Sequence, residues 1–125
     1  MELAAVAKTR LMSMNEASCI FCKIVSREIT TEFVAETPNT LAFWDIAPLA
    51  KVHILIIPKQ HHTDVAELSE NAPAILSEVL KTATDLARRF TSGSFKLQFN
   101  TGAEAGQTVF HAHAHVISDT PKDGS

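Results

Sequence analysis

The chain is poor in cysteine, and that excludes a disulfide framework. Its two cysteines, Cys19 and Cys22, stand three apart in 125 residues, where a stapled fold needs more of them, spread further. Thiols used so sparingly fit a reducing compartment, either left reduced or placed on a metal. No apolar run approaches the roughly 20 residues of a membrane span. Basic residues are not in excess: the net charge is −3 and the pI about 6.0. There is thus no basic footprint for nucleic acid and no polybasic patch for a membrane surface. A P-loop, an acidic Mg²⁺ cluster, internal repeats, linkers and low-complexity blocks are also missing. Residues 1–14 lack the apolar core of a secretory signal. The chain therefore divides into a flexible extension over 1–17, one domain over 18–118 and a polar, frayed tail over 119–125. The expected location is cytoplasmic, with a nuclear or organellar site left open and secretion excluded.

What is present fits a single compact domain. Hydrophobic residues make up 46% and charged residues 20%, the proportions of a globular chain long enough to bury a core. Ser18 reads as the N-cap of a short helix through Ile20, Phe21, Ile24 and Val25, ended by Thr30-Thr31. Glu32–Glu36 and Thr40–Ile46 alternate as strands around the Pro38-Asn39 turn. Val52–Ile57, apolar on both faces, reads as a central strand stopped by Pro58. Thr63 or Asp64 caps a helical turn, and Asn71 caps a long amphipathic helix ending at Thr91-Ser92-Gly93. Phe95–Phe99 is the next strand.

The feature that carries chemistry is Phe110-His111-Ala112-His113-Ala114-His115-Val116-Ile117. Side chains alternate along a strand, so His111, His113 and His115 share a face, while Phe110, Ala112, Ala114 and Val116 form an apolar back. A helix would turn His111 and His113 apart. The plain alternatives are a metal-binding tract or three solvated histidines. The preceding loop, Asn100 to Thr108, holds Gly102 and Gly106. By itself it is an ordinary turn; beside three imidazoles it reads as an anion nest for phosphate oxygens. Imidazole is a competent nucleophile at neutral pH, and its neighbours can fix its tautomer and donate to phosphate oxygens. Without a P-loop or Mg²⁺ cluster, hydrolysis through a histidine adduct is favoured over transfer to a second substrate. Asp45 closes the apolar face of Leu41 and Phe43, where a turn cap is the commoner role.

These residues resemble a known family. Gly106-Gln107-Thr108-Val109-Phe110-His111-Ala112-His113-Ala114-His115-Val116-Ile117 is similar to the signature of the histidine triad (HIT) superfamily. The likeness extends to Cys19–Val25, Leu41–Pro48 and His53–His61, and is greatest to the histidine triad nucleotide-binding (Hint) branch. The resemblance implies an α+β class, the HIT-like fold of a central antiparallel sheet with one long and one short helix, a homodimer, and an adenosine 5'-monophosphoramidase-like hydrolase acting on purine nucleoside phosphoramidates or related conjugates. The alternatives are a dinucleoside polyphosphate hydrolase or a non-catalytic nucleotide-binding scaffold. The resemblance makes His113 the nucleophile, with His115, His111 and His53 as the other catalytic positions; His53 either lies near the leaving group or supports the histidine network. Asn100, Gly106, Gln107, Thr108 and His115 would hold the phosphate, and Asp45 the ribose. Ile20, Phe21, Ile24, Phe43 and Ile46 would form the purine slot, or plain core. The partner implied is an AMP- or GMP-type nucleotide.

Catalysis then needs no cofactor, but C-x-x-C is half of a zinc site. Some relatives complete it at positions that are here His61 and His111, giving Cys19, Cys22, His61 and His111 as a structural zinc set. Reduced thiols are the other reading, and the thioredoxin-like context for a redox pair is missing. The chain departs from the family in its alanine spacers, in the Ala50-Lys51-Val52 run before His53, and in a tail without an aromatic or proline-rich end.

Overall fold

The computed structural model describes residues 18–124; the expected extension over 1–17 lies outside them. Among the described residues are helices α1 (Ile20–Val25), α2 (Val65–Asn71) and α3 (Pro73–Phe90), and strands β1 (Phe33–Glu36), β2 (Thr40–Trp44), β3 (Val52–Pro58), β4 (Lys96–Gln98) and β5 (Ala114–Ser118). The strands form one antiparallel sheet in the order β1-β2-β3-β5-β4. The class and sheet are as expected, with a second short helix, α2, ahead of the long one.

β3 is the central strand because both of its faces are covered. Ile54 and Ile56 join Ala42, Ala114 and Val116 under Val79, Ala83, Leu86 and Ala87 of α3. Leu55 and Ile57 turn the other way, with Leu41 and Phe43, and meet Phe21 and Ile24 of α1. One sheet thus has a long helix on one face and a single short helix on the other. Residues beside that short helix build the site.

Several local expectations are corrected. The α1 cap is Cys19, whose sulfur accepts the Cys22 N–H, and the helix ends at Val25. β2 stops at Trp44 because the chain turns at Asp45, whose Oδ1 accepts the Ala47 N–H at 2.8 Å. Asn71 does not cap α3. It ends α2, donating from its side chain to the Glu67 carbonyl, and α3 opens on Pro73 without a side-chain cap. Asp64 caps α2 through the Glu67 N–H. β4 holds only three residues, and Phe95 and Phe99 on either side of it pack against the α3-side core. The tail is tied down: Thr120 accepts the Ser92 N–H at 2.8 Å, and Pro121 bridges to Thr91 at the end of α3.

Candidate active site

The histidine run enters the sheet late. β5 begins at Ala114, so His111 and His113 lie ahead of the ladder. There the Ala112 N–H donates to the His62 carbonyl, which holds the approach against the loop after β3. Ala112, Ala114 and Val116 form the buried back as expected, but Phe110 is 47% exposed, because the chain has not yet reached the sheet.

The backbone register sets the imidazoles. His115 pairs with Leu55 and His53 with Ile117, making the two histidines diagonal neighbours on the α1 face. His53 Nε2 lies 2.9 Å from His115 Nδ1, and the Leu49 N–H donates to His53 Nδ1 at 3.1 Å. A ring nitrogen that accepts carries no proton, so the network assigns His53 its proton on Nε2. That N–H donates to His115 Nδ1, which leaves the His115 proton on Nε2. His113 Nδ1 is 2.8 Å from the His111 carbonyl; a carbonyl only accepts, so this N–H donates and His113 Nε2 keeps the lone pair. His111 Nε2 likewise donates to the Pro58 carbonyl at 2.8 Å.

Burial holds all four imidazoles below the ordinary histidine value. His111 and His115 fall to about 4, and His113 and His53 are also lowered. At His115 the neighbouring His113 and His53 add to the effect of burial, and the Asp45 carboxylate opposes it. The cluster is neutral at pH 7, so the His113 lone pair is available.

A cavity of about 320 Å³ opens on this cluster. Ile20, Phe21, Ile24, Phe43 and Ile46 wall it with Asp45, Thr108, His113 and His115, so the expected base, ribose and attack positions come together. The Phe21 ring stands edge-on to His113 at 5.0 Å and to Phe43 at 5.6 Å. Ile46 is 91% exposed, a rim residue and not core. Asp45 caps the turn, as one reading of it had, and its Oδ2, on the cavity wall, lies 3.4 Å from His53 Nε2.

The expected phosphate set divides. Thr108 and His115 line the cavity; Asn100, Gly106 and Gln107 do not. The Asn100 amide donates to the Ala105 carbonyl at 2.8 Å, and Gln107 is 3% exposed with its carboxamide bonded to backbone. Gly106 is left-handed (φ 93°), and a Cβ there would sit 3.4 Å from the Asn100 amide. These three shape the loop from behind. Sequence reasoning missed Ile29, Thr30, Thr31, Trp44, Leu55 and Val109 in the wall. For Leu55 the period-2 register with His53 was an available signal; for the Thr30-Thr31 connection there was none.

The cysteines lie beside the triad and form no disulfide. The ligand atoms of Cys19, Cys22, His61 and His111 all fall within 4.8 Å of one another. His111 Nδ1 is 3.5 Å from each sulfur, and His61 Nδ1 is 3.2 Å from Cys22 Sγ. Tetrahedral Zn–S and Zn–N bonds imply ligand separations of roughly 3.3–3.8 Å. The His111 Nε2–H donates to the Pro58 carbonyl, which leaves the lone pair on Nδ1, facing the sulfurs. The donor set therefore fits zinc in number and type, with its closest pairs near tetrahedral spacing. His62, next along, turns away and bonds Glu67 at 2.5 Å.

Comparison with known proteins agrees with this geometry. The HIT domain model matches residues 26–122. An uncharacterized HIT-like protein of Synechocystis is 41% identical over 103 residues, 82% of this chain and 90% of its own. The adenosine 5'-monophosphoramidase of Schizosaccharomyces pombe is 41% identical over 100 residues, 80% of this chain and 73% of its own. Among solved structures, a HIT family hydrolase from Clostridium thermocellum superposes with a TM-score of 0.76 at 40% identity, over 81% of this chain and 90% of the other. One from Legionella pneumophila gives 0.75 at 37% identity, over 81% and 92%.

Proposed function

The chain belongs to the HIT family, and from that premise we propose that it hydrolyses nucleoside monophosphate conjugates, purine nucleoside 5'-phosphoramidates first among them, through a nucleotidyl-histidine at His113. The observation that carries this is the fixed tautomer of His113. Its Nδ1–H is spent on the His111 carbonyl, so Nε2 is the nucleophilic nitrogen on the wall of the cavity. Burial keeps it unprotonated.

The chemistry follows from the neighbours. The purine lies among Phe21, Ile24 and Phe43 with Ile20 and Ile46 at the rim, and the Asp45 carboxylate accepts from the ribose hydroxyls. Thr108 and the His115 Nε2–H hold phosphate oxygens. His113 Nε2 attacks phosphorus, the P–N bond breaks, and the leaving nitrogen takes one proton. Burial keeps the His53–His115 pair neutral, while Asp45 and the anionic substrate favour an added proton there. With substrate bound the pair takes up one proton from solvent and passes it to the leaving amine. Water then attacks the nucleotidyl-histidine, sheds one proton back to the same pair, and releases the nucleoside monophosphate. The His111 carbonyl steadies the positive charge on His113 throughout.

Cys19, Cys22, His61 and His111 would hold one zinc ion, which supplies a cross-link between the start of α1 and the approach to β5. The chain would act as a homodimer: β4 is an edge strand presenting Leu97, 37% exposed, a surface of the kind that pairs with a second copy. Light scattering after size exclusion tests that.

The decisive test is release of AMP from adenosine phosphoramidate by the wild type and its loss in His113→Ala. Turnover of diadenosine polyphosphates in preference to phosphoramidates would move the substrate to that class. Tight AMP binding with no turnover of either would make the chain a binding protein.

A further inference from the structure

Gln107 sits one residue before the cavity wall and is almost wholly inside the protein, 3% exposed. Its carboxamide has one oxygen and two N–H groups, and each has a partner. Oε1 accepts the Gly102 N–H at 2.8 Å. Nε2 donates to the Thr63 carbonyl at 2.7 Å and to the Val109 carbonyl at 3.1 Å. No donor is left over for a phosphate oxygen. The three partners belong to three segments: the start of the glycine loop, the loop between β3 and α2, and the approach to β5. The last of these carries Thr108 and Val109, which wall the cavity beside His113 and His115.

We infer that Gln107 is a positioning residue, a clamp that fixes Thr108 and Val109 where the reacting phosphate must be held. This rests on the proposed hydrolase function. The 3₁₀ turn over Ala103–Ala105 has no side-chain cap, and its other side-chain anchor is the Asn100 amide on the Ala105 carbonyl, at the far end of the turn. Gly102, at its entry, is held from both sides: its carbonyl accepts the Gln107 N–H at 3.1 Å while its N–H donates to the Gln107 side chain. One residue thus closes the loop with both its backbone and its side chain. Removing the carboxamide leaves the loop with its backbone bonds and the Asn100 anchor at Ala105, neither of which holds Thr63 or Val109, and frees Thr108 and Val109 to shift relative to His113. Displacement of about 1 Å at a reacting centre costs on the order of 10²-fold in rate.

The test uses Gln107→Met, which keeps the length and removes all three bonds, and Gln107→Glu, which keeps the acceptor for Gly102 and sets a carboxylate against two carbonyls. Both are expected to lose about 10- to 100-fold in kcat with KM for the phosphoramidate changed less than about threefold. In the wild type, the Gln107 side-chain NH₂ resonances should exchange slowly with solvent and stay in place on saturation with AMP. A raised KM with unchanged kcat, or NH₂ resonances that shift strongly with AMP, would overturn the clamp and make Gln107 a phosphate ligand. Hydrogen exchange at the Gly102 amide separates this inference from the functional reading. If the wild type turns over nothing, the hydrolase reading falls, yet a Gly102 amide protected in wild type and open in Gln107→Met still establishes the clamp. Equal exchange in the two refutes it. Should Gln107→Met fail to fold, Gln107→Glu and the wild-type NH₂ exchange decide alone.

Discussion

The two faces of the sheet are covered in opposite ways. On one, α3 lays Val79, Ala83, Leu86 and Ala87 over Ile54, Ile56, Ala114 and Val116, with no titratable group in the buried cluster. On the other, the six-residue α1 covers only part of the sheet, and the remaining area is taken by imidazoles, thiols and a cavity. The first face follows from one rule, removal of apolar surface from water. The second needs each polar atom matched, because a buried imidazole without partners is costly. Here the matching fixes the proton positions. Neighbours on one strand meet different fates: Ile56 packs against α3, and Leu55 walls the cavity. The comparison teaches that one face is built by apolar packing and the other by the placement of polar groups around a cavity.

The strongest way to break that division is on the reactive face. His113→Ala should lower kcat for phosphoramidate hydrolysis by about 10⁴-fold, equivalent to about 5.5 kcal/mol of transition-state stabilisation, with unfolding in urea shifted little. Residual turnover within tenfold of wild type would remove His113 from the nucleophile's role. The stable face is next. Ile56 is fully buried, so Ile56→Ala should cost about 3 kcal/mol in urea unfolding and leave kcat per folded molecule within about twofold. Leu55→Ala, one residue away, should weaken AMP binding as well. If both variants affect only stability, or both affect binding, the faces are not separate in function.

How far this could be read from the chain differs by face. The α3 periodicity and the β3 run are strong local patterns, and they place Ile54, Ile56, Val79 and Ala83 without knowledge of the rest. On the other face the histidine spacing placed His115 in its strand, and family likeness brought Asp45 and the base-slot residues to one cavity. What was not legible depends on which of two available partners a polar side chain chooses. Gln107 and Asn100 could face a ligand or the backbone, and only the fold brings Gly102, Thr63 and Val109 around one carboxamide. Asn71 likewise suits either the end of one helix or the start of the next; α2 claims it. The late entry of β5 comes from a contact between Ala112 and His62, fifty residues apart, which no local pattern encodes.

The metal set sharpens the comparison further, since α1 is short and its cap is a cysteine. Zinc tied to Cys19, Cys22, His61 and His111 would do for this face what α3 does for the other. Metal analysis is expected to find one zinc per chain. Its removal by a chelator should lower stability by roughly 2–3 kcal/mol, as for a ligand that binds the folded state alone, and Cys22→Ser should match the stripped protein. AMP affinity should fall too, because Phe21 and Ile24 of the same helix wall the cavity. An unchanged melting temperature after chelation would mean that reduced thiols suffice.

The smallest expected effect is a dependence on acidity carried by the imidazole face. Burial lowers the His115 pKa from its ordinary 6.5 to about 4 in the folded chain. Between those values the unfolded chain binds the proton and the folded chain does not, so stability rises with pH. His115 therefore contributes fully above about pH 6.5, and its contribution is lost as pH falls toward 4. Because the ring is partly exposed, solvent screening reduces the effect to about 1–2 kcal/mol. Urea midpoints for the wild type and His115→Gln at pH 7.5 and pH 5 would measure it. The wild type should lose more stability than the variant between the two. Ile56→Ala, on the opposite face, should shift both midpoints by the same amount and leave the wild-type slope intact. A slope unaltered by His115→Gln would mean that the cost of burying this imidazole is met by its bond to His53, and that acid sensitivity arises elsewhere in the chain.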